Sequence, residues 1–267
     1  MNTPLDAVFV KTRSENRAAL IAYIPAGFPS IEGCKRAIKV LAESGIDALE
    51  IGFPYSDPVM DGPTIQAAAD ISLRAGTGAA EVFSTVRYAH ELGLPTVVMT
   101  YWNPIEKYGV EAFASEMARN GGSGVITPDL TIEESRGWKA ATDAAGINTI
   151  FVVAPSTAPQ RLSDVTAQCS GFAYAASLMG VTGARSSISS GARDLVSRIR
   201  TTTSTPIAVG LGVSTREQAK DVAGFADGVI VGSAFIKILL EATHEEEGLS
   251  QVGDLAKDLA KGVREGR

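Results

Sequence analysis

Ala48-Leu49-Glu50-Ile51-Gly52-Phe53-Pro54-Tyr55-Ser56-Asp57-Pro58-Val59-Met60-Asp61-Gly62-Pro63 joins a short apolar run to a turn-rich loop carrying two separated carboxylates, Glu50 and Asp61. Ala48 to Gly52 has the length of a buried parallel strand, on which side chains alternate between faces. Glu50 therefore shares a face with Ala48 and Gly52, opposite Leu49 and Ile51. If Leu49 and Ile51 pack under helices, Glu50 points into a strand-lined interior, where lost hydration favours the neutral acid. Such a group can both give and take a proton, so the stretch reads as an acid/base site. Taken locally, the same residues also fit a glutamate reaching solvent from a strand end, and Asp61-Gly62-Pro63-Thr64 fits a plain turn before a helix.

Working outward, similar runs recur at Leu20 to Ile24, Thr96 to Thr100, Gly124 to Thr127, Thr149 to Val153, Phe172 to Ala176, Ile207 to Gly210 and Gly228 to Val231. Between them lie segments of helical spacing with start signals: Ser30 before Ile31 to Glu43, and the capping-box patterns Thr131-x-x-Glu134 and Ser214-x-x-Glu217. Nearly continuous apolar strands alternating with helices imply a parallel sheet covered by helices. Eight such units favour a closed α/β barrel of the (β/α)8 TIM type, occupying residues 1–267 as one domain. Extra helices are expected at Met1 to Asn16, after the second strand (Thr64 to Arg74, then Ala79 to Leu92) and at Leu249 to Arg267.

The composition sets limits on function. Of 267 residues 45% are apolar, enough for a large core, and the 24 basic against 30 acidic residues give a formal charge of −6 without a long basic run. A nucleic-acid surface is not expected. No apolar stretch approaches the roughly 20 residues of a membrane span, and Asp6 interrupts any export signal, so a cytoplasmic protein is expected. Cys34 and Cys169 stand far apart and read as buried thiols rather than zinc ligands or a disulfide pair. His90 and His244, the only histidines, fall in charged helical stretches, so a histidine-based triad is not expected.

Gly210-Leu211-Gly212-Val213-Ser214 follows the seventh strand, and Gly232-Ser233-Ala234 follows the eighth and opens the helix Phe235 to Glu241. Glycines there admit a phosphate to backbone N–H groups at a helix's positive end, which is where barrels commonly bind phosphate. Gly180-Val181-Thr182-Gly183-Ala184-Arg185-Ser186-Ser187, after the sixth strand, reads as a lid or as a long surface loop.

Together these ordered motifs resemble the tryptophan synthase alpha chain family over roughly Phe9 to Leu240. They are Leu49 to Gly52 through Pro54-Tyr55-Ser56-Asp57-Pro58 to Asp61-Gly62-Pro63, then Gly180 to Gly183, Gly210 to Val213 and Val231 to Ala234. The resemblance implies retro-aldol cleavage of indole-3-glycerol phosphate to indole and glyceraldehyde 3-phosphate, with no metal or organic cofactor in this chain. It implies Glu50 as the acid/base and Asp61 as the carboxylate holding the indole N–H. Carbon–carbon cleavage needs an electron sink, which a C3-protonated indole with a cationic nitrogen supplies. By the same resemblance Tyr23, Tyr101, Tyr174, Ile126 and Val152 line the indole pocket, Gly183, Gly212, Gly232 and Ser233 hold the phosphate, and Thr182 closes the lid toward Asp61. Each tyrosine also fits plain core. The implied partner is a pyridoxal-phosphate beta chain in an αββα assembly, met by Asp57, Asn103 and neighbouring loop residues. Phe28, Leu178 and Thr131 depart from the commoner family pattern of Asp, Arg and Pro. Three rival readings compete: a lyase releasing free indole without a partner, another phosphate-binding barrel enzyme such as a phosphosugar isomerase, and a non-enzymatic phosphate binder.

Overall fold

The computed structural model describes residues 3–176, 185–210 and 212–267. Its eight strands are β1 (Ala19–Pro25), β2 (Ala48–Gly52), β3 (Thr96–Met99), β4 (Gly124–Thr127), β5 (Asn148–Val153), β6 (Ala173–Ala176), β7 (Ile207–Gly210) and β8 (Gly228–Val231). All pair in parallel with their sequence neighbours, and β8 closes on β1. The expected (β/α)8 barrel is therefore the fold, with strand limits within a residue or so of the apolar runs.

The helices are α1 (Pro4–Ser14), α2 (Ile31–Glu43), α3 (Pro63–Arg74), α4 (Ala79–Glu91), α5 (Trp102–Tyr108), α6 (Val110–Arg119), α7 (Arg136–Ala145), α8 (Pro159–Gln168), α9 (Arg185–Arg200), α10 (Arg216–Ala223), α11 (Ser233–Glu241) and α12 (Glu245–Glu265). The extra helices stand where the sequence puts them: α1 before the barrel, α3 with α4 after β2, and α12 at the end. None of the described helices is long and apolar enough to cross a membrane.

Side-chain alternation sorts the strands into two cores. Leu20, Leu49, Ile51, Val98, Val125, Val209 and Val229 face outward onto the helices. Ile21, Ala48, Val97, Ile126, Ile150, Ala208 and Ile230 fill the barrel, and Leu5 and Phe9 of α1 join them. At the amino-terminal end Arg17 forms a bidentate ion pair with Asp47, both bonds at 2.7 Å, and Asp47 also accepts the Leu20 N–H. These contacts fix the end of the barrel away from the loops that follow the strands.

Two start signals are corrected. Ser30 does cap α2, accepting the Gly33 N–H at 3.0 Å. Thr131 does not begin a helix: residues 132–135 form turns, Glu134 donates its N–H to the Thr131 carbonyl, and α7 starts at Arg136. The cap of α10 is Thr215 rather than Ser214, and Thr215 accepts the Gln218 N–H. At α10 the neighbouring Thr215 takes the backbone donor that Ser214 was expected to hold, whereas α7 begins after Ser135 with no side-chain cap. His90 lies in α4, whereas His244 is the residue preceding α12 rather than part of it. Cys34 is buried and Cys169 half-buried, and burial pushes both thiols up to about 11.

Candidate active site

The interior parity of β1 and β2 brings Tyr23 and Glu50 side by side as register partners. Above them, at the carboxyl ends of the strands, is a cavity of about 510 Å³ lined by Tyr23, Glu50, Asp61, Tyr174, Gly212, Gly232 and Ser233 among others. Seven of the sequence-predicted site residues thus meet around one space. Val152 lines it too, whereas Ile126 lies deeper in the barrel core. Thr182 and Gly183, with Leu178 and the rest of the Gly180 to Ala184 element, lie outside the described residues.

Glu50 is 1% exposed, and among the described residues its Oε2 has no hydrogen-bond partner. Burial raises its carboxyl to about 8, and the nearby Asp61 charge adds to the shift. Asp61 is less enclosed, and burial raises it to about 6. A neutral acid and a carboxylate therefore coexist in one cavity near neutral pH, a separation of roles that acid–base catalysis requires.

The two interior tyrosines are held by missing side chains. A Cβ on Gly52 would strike the Tyr23 hydroxyl and lie 2.7 Å from its Cζ, and one on Gly232 would lie 2.9 Å from its Cδ1. A Cβ on Gly210 would likewise strike the Tyr174 hydroxyl. Burial raises both phenols well above their ordinary value, with Glu50 and Asp61 adding to the effect. They enter the site as neutral, shape-giving rings.

Gly212, which also lines the cavity, adopts φ +73°, a conformation that favours glycine. Gly232 precedes α11 and Ser233 is its first residue. First-turn N–H groups have no carbonyl within their own helix to donate to, and the helix dipole adds partial positive charge there. This part of the cavity suits an anion, and it is separated from the strand bearing Glu50 by the Tyr23 ring, which lies close to both Gly232 and Gly52.

Tyr101 stands beside the loop after β2. It is buried but does not line the cavity; its Oη accepts the Met60 N–H at 3.1 Å, and its ring packs on Tyr55 at 5.2 Å between centroids. Sequence reasoning missed Met60, Ile65, Met99 and Ile230 as lining residues. Met99 and Ile230 were open to discovery, since they share strand parity with Val97 and Gly228; Met60 and Ile65 are placed by a loop and a helix start with no such periodicity. A larger cavity of about 660 Å³, lined by Phe9, Val10, Arg13 and Pro206 among others, lies beside α1 at the opposite end and holds none of the predicted site residues.

A closed parallel barrel with a buried carboxyl facing a cavity at the carboxyl ends of its strands has the form of a (β/α)8-barrel enzyme. Comparison with known proteins narrows the class. The family model described as tryptophan synthase alpha chain matches residues 9–264. The chain is 57% identical over 261 residues to the tryptophan synthase alpha chain of Streptomyces coelicolor, covering 97% of this chain and 96% of the relative. It is 51% identical to that of Thermobifida fusca, covering 98% of each. Among solved structures, a tryptophan synthase chain from Mycobacterium tuberculosis superposes with a TM-score of 0.92 at 46% identity, over 99% of each chain. The alpha subunit from Legionella pneumophila gives 0.89 at 30% identity, over 98% of this chain and 99% of that one. The chain belongs to the tryptophan synthase alpha chain family. It is a carbon–carbon lyase of tryptophan biosynthesis, cleaving indole-3-glycerol phosphate to indole and glyceraldehyde 3-phosphate and working with a beta chain that takes up the indole.

Proposed function

We propose that Glu50 and Asp61 divide the acid–base work of this cleavage. Protonated Glu50 gives its proton to indole C3, breaking the ring's enamine conjugation and leaving an indolenine whose nitrogen is positive. Ionised Asp61 accepts the indole N–H and stabilises that charge. The Glu50 carboxylate then takes the proton of the glycerol hydroxyl next to the scissile bond. As that carbon becomes the aldehyde, the C–C bonding pair returns to the ring, neutralises the nitrogen and restores indole. Glu50 ends protonated, as it began, and no other reactant is consumed. The reaction thus starts with Glu50 neutral and Asp61 charged.

The observation carrying this reading is that two carboxyls held by burial at about 8 and about 6 share one cavity, which a glycine-bordered helix start also lines. Gly212, Gly232 and Ser233 bind the phosphate, with Gly183 beside them and Thr182 closing over Asp61. Tyr23, Tyr174 and Val152 enclose the indole. One domain spanning 1–267 performs the chemistry without a cofactor of its own, pyridoxal phosphate being confined to the beta chain. The working assembly is a cytoplasmic α2β2 heterotetramer, with Asp57 and Asn103 on the side facing the beta chain.

The test is indole release by the purified chain, alone and with a beta chain, for wild type and Glu50→Gln. Wild type should turn over slowly alone and faster with the partner. Glu50→Gln should lose at least about 100-fold, the scale of a general acid/base, while binding glyceraldehyde 3-phosphate within a few fold of wild type. Near wild-type turnover by the variant would overturn the assignment of Glu50, and fast wild-type turnover unaffected by a beta chain would overturn the partner-dependent role.

A further inference from the structure

We propose that Tyr101 is a positioning residue for Asp61, acting through the backbone of the loop after β2 rather than by touching substrate. The inference rests on the role given to Asp61 above. Ten residues, 53–62, separate β2 from α3 without helix or strand, and Asp61 lies near the end of that span. Among the described residues no hydrogen bond fixes the Asp61 carboxylate itself. Its place is set by the chain on either side of it.

On the preceding side the Met60 N–H donates to Tyr101 Oη at 3.1 Å. On the following side Gln66 Nε2 donates to the Asp61 carbonyl at 2.7 Å from within α3. The Tyr101 ring also packs on Tyr55, with centroids 5.2 Å apart and planes at 33°. One 5%-exposed ring therefore grips the loop at two points five residues apart, while Asp57 and Val59 between them stay exposed. Tyr101 is itself anchored: it immediately precedes α5, whose first N–H, from Trp102, donates to the Asp129 carboxylate at 2.9 and 3.1 Å. The chain of contacts runs from the loop after β4, through the start of α5, to the backbone bearing Asp61. A carboxylate that must meet one N–H of a substrate gains rate from being held in place before the substrate arrives.

Tyr101→Phe removes only the hydroxyl, keeping the ring against Tyr55; Tyr101→Leu removes both. Groups within electrostatic reach of Asp61 are Glu50 from β2, Tyr23 from β1, Tyr174 from β6 and Tyr101 itself, while Asp129 reaches Tyr101 from the loop after β4. The substitution leaves all the carboxylates in the chain. Loosening the loop then admits water to Asp61 and moves the acid limb of kcat/KM toward the ordinary carboxylate range.

The experiment measures kcat/KM against pH for wild type, both variants and Glu50→Gln, with and without saturating beta chain, together with inhibition by glyceraldehyde 3-phosphate. Expected for Tyr101→Phe are a loss of about tenfold in both conditions, an acid limb shifted to lower pH, and an unchanged inhibition constant, with a larger loss for Tyr101→Leu. A Tyr101→Phe enzyme within twofold of wild type with an unmoved limb overturns the proposal. So does a loss seen only with the beta chain, or one matched by weaker product binding. If Glu50→Gln stays active, the division of roles between the carboxylates fails instead.

Discussion

Glu50 and Asp61 share a cavity, yet burial acts on them unequally, because one lies on a strand inside the barrel and the other on a loop at its mouth. Both carboxyls are raised, Glu50 to about 8 and Asp61 to about 6. The productive form requires Asp61 ionised, so kcat/KM should rise with pH through about 6 as that proton leaves. It also requires Glu50 protonated, so kcat/KM should fall again through about 8 as the second proton leaves. The profile is a bell with its maximum near neutrality, set by groups of the free enzyme. Titrating kcat/KM between pH 5 and 10, within about the range these values span, checks it. Asp61→Asn should flatten the acid limb, lower the whole curve and move the alkaline limb below about 8, because the Asp61 charge contributes to the raised Glu50 value. An acid limb that survives Asp61→Asn assigns that limb to another group, and the two carboxyls would then not divide the work.

At the level of the strands, site shape depends on what the glycines omit. Tyr23 on β1 is wedged between Gly52 on β2 and Gly232 after β8, with both flanks too close for a methyl group. Gly52→Ala must displace the ring toward the cavity, since the strand backbone on the other side cannot yield. The expected cost is about 1–3 kcal/mol of stability, as for overpacking elsewhere, with weakened substrate binding. Combined with Tyr23→Ala, which empties the same space, the two changes should be strongly non-additive in urea denaturation. Additive effects would show that the ring and the glycine are not in contact. This wedge also shows what a sequence reveals. Tyr23 and Tyr174 were indicated by the family resemblance, whereas strand parity, a local rule, placed Glu50 on the inner face because Leu49 and Ile51 needed the outer one. The glycine loops after β7 and β8 were legible for the same reason, through their positions at strand ends. Helix starts were less so: α7 begins without the cap that Thr131 suggested, and at α10 Thr215 takes the backbone donor expected for Ser214. The hold of Tyr101 on the Met60 N–H was not legible, because Met60 belongs to an irregular loop and no periodicity links positions 60 and 101.

The whole barrel assigns its two ends different tasks. The carboxyl ends carry the cavity holding both carboxyls, long loops and a carboxyl oxygen without a partner among the described residues, all of them costs to stability. The amino ends carry polar networks that join strand starts, beside the cavity at α1 and an unpartnered Asn148 Oδ1 among the described residues. Asp227 is the clearest: its side chain accepts the Ile207 N–H at 2.9 Å, pairs with Arg200, and reaches Arg267 at 3.2 Å, while its carbonyl accepts the Ala19 N–H at 2.8 Å. One buried residue thus ties the starts of β1 and β7 to α9 and to the C-terminus, on the segment leading into β8. Asp227→Ala keeps the carbonyl bond but strands the Ile207 N–H and removes the shared partner of two arginines. Loss of such a buried, charge-assisted network costs about 2–4 kcal/mol, which for a chain of this size lowers the melting midpoint by about 5–12 °C. The chemistry lies at the other end, so kcat well below the midpoint should stay within about twofold of wild type, the small effect expected of a site without shared contacts. Differential scanning calorimetry and the indole-release assay on the same preparation measure both quantities. A fall in kcat matching the loss of stability would mean that distortion at the amino ends travels along the strands to Glu50. The barrel would then behave as one coupled body, and its stable end could not be altered independently of its reactive one.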